Sequence, residues 1–152
     1  MELEKIYNEE TCLAIREFIE DFQCIFPGLL SEEELISRIT KYMKYNINFN
    51  ADLTENHMGE YKNSQVFISK NIKDKGQILF HEMIHVITDG EFLRCFPYRN
   101  FIEGLTTLAE ELYIKYKGIK MPKFRRNVNG YVPTFVRELN YVKEGKLLRE
   151  FI

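Results

Sequence analysis

The chain has 152 residues, 45% of them hydrophobic and 29% charged, with a formal net charge of −2. That length supports a sizeable core in a single domain over 1–152, and the composition excludes a disordered chain. The small net charge gives no footing for nucleic acid or an anionic membrane as partner, and no apolar run approaches the ~20 residues that span a bilayer.

The N-terminal MELEKIYNEE lacks the basic and apolar regions of a signal peptide. Cys12, Cys24 and Cys95 are an odd number without C-x-x-C spacing, so neither a disulfide framework nor a cysteine-based zinc site is suggested. The expected setting is a reducing cytoplasm.

In chain order, Leu13, Ile15, Phe18, Ile19, Phe22 and Ile25 recur near the helical period and predict a helix over 9–26, stopped by Pro27-Gly28. Ser31-Glu32-Glu33-Glu34 is an S-x-x-E capping box. It opens a second helix whose buried face is Leu35, Ile36, Ile39, Tyr42 and Met43. The period then changes. Ile47, Phe49, Ala51 and Leu53 alternate with polar residues and predict a half-buried strand, and QVFIS over 65–69 predicts another. Asp74 to Gly76 punctuates before a third helix over 77–88, which Asp89-Gly90 ends. Residues 91–101 read as an irregular loop, 101–117 as a fourth helix, and Asn129-Gly130 as a turn before a last helix over 134–150. The expected class is α+β, mostly helical, with a small sheet packed on the third helix.

That helix carries His81-Glu82-Met83-Ile84-His85, an H-E-x-x-H sequence, and two of the three histidines in the chain fall in it. Residues four apart share one helix face about 5–6 Å apart, so His81 and His85 can close on one ion. Glu82 is rotated by about 100° from His81, within reach of a water on that ion as general base. Leu79, Phe80, Met83, Val86 and Ile87 make the rest of the helix apolar, as expected of a buried helix. A His-Glu-His set in such surroundings gains from a bound ion as partner.

Catalytic zinc usually takes three protein ligands and a water. No third histidine follows at H-E-x-x-H-x-x-G-x-x-H spacing, which excludes the metzincin pattern. Glu103 follows His85 with seventeen residues between, at the start of the fourth helix. A loop of that length lets two antiparallel helices face each other across an ion. Thr107 and Glu110 share the Glu103 face, where either can hydrogen-bond a ligand histidine.

This H-E-x-x-H, followed by Glu103-Gly104 on a second helix, resembles the gluzincins, zinc peptidases that include thermolysin and a class of aminopeptidases. The match runs over roughly residues 65–112 and in scale is closest to the minimal single-domain gluzincins. The resemblance implies a zincin-like fold, zinc held by His81, His85 and Glu103, and Glu82 as general base. It also implies a sheet whose edge strand binds substrate backbone, in the place where QVFIS stands. The departures are a shorter spacing to the glutamate, Ile102-Glu103 in place of an N-E pair, and no amine-recognition segment.

The expected function is hydrolysis of peptide bonds in a peptide or protein substrate. Tyr98 is the first candidate for the oxyanion donor such chemistry needs, with Tyr131 and His57 as alternatives. Some minimal relatives are latent, and a C-terminal segment near 131–152 is the candidate cover. The competing expectation is a non-catalytic, zinc-stabilised binding or regulatory domain. Oligomeric state is not legible.

Overall fold

The computed structural model describes residues 3–54, 57–72, 75–89 and 98–119, with 98–105 and 107 described by backbone alone. The elements run α1 (Leu3–Ile6), α2 (Glu9–Ile25), α3 (Glu32–Tyr42), β1 (Asn48–Ala51), β2 (Gly59–Lys62), β3 (Gln65–Ser69), α4 (Lys75–Thr88) and α5 (Tyr98–Lys117), a mixed α+β set. They fall into two compact units, Met1–Ile87 and Thr88–Ile152. The expected loop over 91–101 falls largely outside the described residues. So do Asn129-Gly130, the helix over 134–150 and Cys95.

In the first unit, α2 starts because the Asn8 side chain accepts the Thr11 N–H at 2.9 Å, satisfying an otherwise orphan donor. Glu9 and Glu10 add negative charge at the positive end of the helix dipole. Its buried stripe is Cys12, Ala14, Ile15, Phe18, Ile19 and Phe22. Leu13 was expected on that stripe but is 62% exposed, because it lies about 200° around the helix from Ile15 and points away. Ser31 caps α3 by accepting the Glu34 N–H at 3.1 Å, and its hydroxyl donates to the Glu34 carboxylate. Leu35, Ile36 and Ile39 are buried along α3, and Met43, just past its end, is buried too.

Two short elements, α1 and β2, are not legible in the sequence pattern. Tyr7, directly after α1, is buried and donates its phenol proton to the Met43 carbonyl at 2.6 Å, tying the start of the chain to the end of α3. Asn46 accepts the Asn8 N–H at 2.8 Å and the Thr11 hydroxyl accepts the Ile47 N–H at 3.1 Å. These bonds bring the chain entering β1 against the start of α2.

The three-stranded sheet has the order β1-β3-β2. β1 runs parallel to β3, and β2 pairs antiparallel with β3 in the register Gly59↔Ile68 to Lys62↔Gln65. The hairpin turn is Asn63-Ser64, both with positive φ (51° and 60°), the backbone a two-residue turn needs to match strand twist. Val66 and Ile68, on one face of β3, are fully buried. Phe18 stacks obliquely on Phe22 and on Phe80 of α4, with ring centroids 5.8 and 5.3 Å apart, in the core of this unit.

In the second unit, α5 begins at Tyr98 and not at 101, so Tyr98 lies in its first turn and not in a loop. The helix ends where Gly118 adopts φ 69°, with Gly118 N–H bonded to Lys115 O at 3.2 Å and Ile119 N–H to Ile114 O at 3.0 Å. That pair of bonds satisfies carbonyls left over at the helix end. Leu108, Ala109, Tyr113 and Ile114 are buried along it. No helix among the described residues is long and apolar enough to cross a membrane.

Candidate metal centre

Helix α4 is held at both ends and on two faces within the first unit. At its start the Lys75 ammonium donates to the Phe49 carbonyl of β1. At its end the Arg38 guanidinium of α3 donates to the Ile87 carbonyl at 3.2 Å. A cation at that end also suits the negative end of the helix dipole. Phe80 packs on Phe18 on one side. On another side Gly59 of β2 sits directly on the helix, between Ile78 and Glu82. The helix starts at Lys75, two residues before the expected boundary, so Gly76 lies inside its first turn. That turn's N–H groups have no partners within the helix anyway, and a glycine there gives up little.

Ile78, Leu79, Phe80, Met83, Ile84, Val86 and Ile87 are all buried, which makes the helix apolar on most sides. Gln77 and Thr88 are buried as well, so His-Glu-His is not its only buried polar set. His81 and His85 lie one turn apart with ring centroids 5.1 Å apart and planes inclined at 66°. The Glu82 carboxylate comes within 4.0 Å of the His81 Nε2. The side chains of His81 and Glu82 are only 12% and 8% exposed. One donor atom from each of His81, Glu82 and His85 lies within 4.8 Å of the others, an arrangement that can hold a metal ion. Two imidazole nitrogens and a carboxylate oxygen suit a borderline divalent cation, and the apolar surround strengthens charge–charge attraction there.

The remaining sequence candidates are placed as follows. Glu103, Tyr98 and Thr107 lie on the α5 backbone, their side chains outside the described residues. Glu110 is 1% exposed on α5, so it is a buried carboxylate and not a surface one, with Thr106 buried one turn before it. His57 is exposed, precedes β2, and keeps its Nδ1 within 3.3 Å of the Thr54 hydroxyl; it stands apart from the cluster on α4. Tyr131 and the segment 131–152 lie outside the described residues.

One expectation is overturned. QVFIS is not an edge strand: β3 is the middle strand, with β1 on one side and β2 on the other. Its backbone groups are taken up by neighbours. The edge strand against Glu82 is β2 (GEYK), which has little strand signal in its sequence. Its residues are polar or half-buried and lack apolar alternation. The available signal was the lone Gly59, since a glycine within a strand often marks a close backbone approach.

No protein-family model, no curated protein and no solved structure matches the chain.

Proposed function

We propose that this chain is a zinc-dependent peptidase whose metal is held by His81 and His85, with Glu82 as general base. The observation that carries the reading is the convergence of His81, Glu82 and His85 donor atoms within 4.8 Å on one buried helix. His81 and His85 would hold the zinc, which would supply Lewis-acid chemistry for activating water and the scissile carbonyl. With zinc bound, Glu82 would act as the general base and then as proton donor to the leaving amine, a role suited to a carboxylate adjacent to the ligands but rotated off their line.

The position of β2 supports a peptide as substrate. Among the described residues β2 pairs with β3 alone. An extended peptide added along its other edge gains main-chain hydrogen bonds and runs beside Glu82.

The deciding experiment pairs metal analysis with cleavage of a peptide library by the wild type and Glu82→Gln. The expected result is about one zinc per chain in both and cleavage in the wild type only. Undiminished cleavage by Glu82→Gln refutes the mechanism. A wild type that binds zinc and cleaves nothing is a zinc-stabilised binding domain instead.

A further inference from the structure

We infer that Gly59 is a positioning residue for Glu82: the side chain it lacks leaves the room that keeps the Glu82 carboxylate beside the two histidines. This rests on the peptidase reading for the role of Glu82, and on the contact geometry of β2 for the rest. A Cβ built on Gly59 would stand 2.5 Å from Ile78 Cγ2, 3.1 Å from the Phe67 carbonyl oxygen and 3.3 Å from Glu82 Cγ. Ile78 and Glu82 are one helical turn apart, so the strand backbone occupies the groove between them.

The neighbours leave few ways to relieve such a methyl. The Phe67 carbonyl belongs to β3, whose pairing with β2 runs over four consecutive residue pairs. Ile78 is 4% exposed and enclosed. The 2.5 Å conflict falls on Ile78, while the 3.3 Å approach requires Glu82 Cγ to give by a few tenths of an ångström, which turns the carboxylate beyond it. Gly59 shows no left-handed φ, so the requirement for glycine here is steric and not conformational. With glycine in place, the backbone confines the Glu82 methylenes and its carboxylate ends 4.0 Å from the His81 ring nitrogen.

The test uses the full chain loaded with cobalt(II), comparing Ile78→Ala with Gly59→Ala/Ile78→Ala. Removing Ile78 Cγ2 takes away the 2.5 Å conflict that would threaten folding of Gly59→Ala alone. What remains in the pair is the push on Glu82. Both variants should bind cobalt with similar affinity, because neither touches a histidine. The added methyl should lower kcat about tenfold with KM little changed, in line with the sensitivity of catalysis to sub-ångström placement. It should also shift the visible cobalt spectrum in the same sense as Glu82→Gln.

A second readout needs neither metal nor turnover. In the Ile78→Ala background, the loss in Tm caused by Gly59→Ala should shrink when Glu82→Ala removes the contacting Cγ, since touching residues are not additive. An unchanged cobalt spectrum, or equal Tm losses in both backgrounds, overturns the inference. If the wild type cleaves no peptide, the peptidase reading fails, while the spectrum and the Tm coupling still decide what Gly59 does. If the wild type binds no cobalt, the peptidase reading fails, and the Tm coupling alone decides what Gly59 does.

Discussion

Replacing Tyr7 by Phe tests the account of how the first unit is tied together, and its effect reverses with pH. The phenol is 5% exposed and donates to the Met43 carbonyl at 2.6 Å. Removing it leaves that buried carbonyl short of a partner, a loss of about 1–2 kcal/mol at neutral pH. The phenol pKa is raised from 10.0 to about 12, first by burial and then by the nearby Cys12 thiol. The unfolded chain therefore loses this proton near pH 10 while the folded one keeps it. Stability that is fully present below pH 10 is withdrawn as pH rises toward 12. Two units correspond to about 2.7 kcal/mol.

The Phe variant has no such proton to lose. It should be the less stable protein at pH 8, equal to the wild type near pH ~11, and the more stable by about 1 kcal/mol above pH ~12. Urea unfolding followed by circular dichroism at a series of pH values reads both curves, and their difference cancels the titrating groups that do not act on Tyr7, leaving Tyr7 and its neighbour Cys12. A gap between the two proteins that stays constant from pH 8 to 12 refutes the reasoning.

Arg38→Ala withdraws the guanidinium from the Ile87 carbonyl at the end of α4. It should lower stability by about 1–2 kcal/mol in urea titrations and weaken metal binding, because His85 lies in the last turn it steadies. Metal removal should lower stability by mass action: at free zinc a thousand times Kd the holo form gains about 4.1 kcal/mol over the apo form. In thermal scans across a zinc series that gain should vanish in His85→Ala, and a variant that keeps the full zinc-dependent rise in Tm argues against His85 as ligand.

The helices with capped ends and a single apolar stripe were legible because local chemistry decides them. Asn8 and Ser31 accept the N–H groups that start α2 and α3, and the period-3.6 stripes of both reappear as buried faces. The β-rich run QVFIS likewise appears as β3 at the expected residues. What was not legible depends on partners distant in the chain. A strand's own residues do not state which neighbours it will have, so β3 looked like an edge while the pairing puts it in the middle. β2 has little apolar signal of its own and exists through its ladder with β3. The tie from Tyr7 to Met43 spans thirty-six positions and leaves no local trace.

The sequence by itself determined that His81, Glu82 and His85 share a helix and stand close together, because helical geometry places residues one turn apart on one face. Only the tertiary structure decided what lies against that helix: Phe18 on one side, Arg38 at its end, and the bare backbone of Gly59 against Glu82. The motif is a matter of spacing along one backbone. The setting that fixes its carboxylate is a matter of packing between elements that meet only when the chain folds.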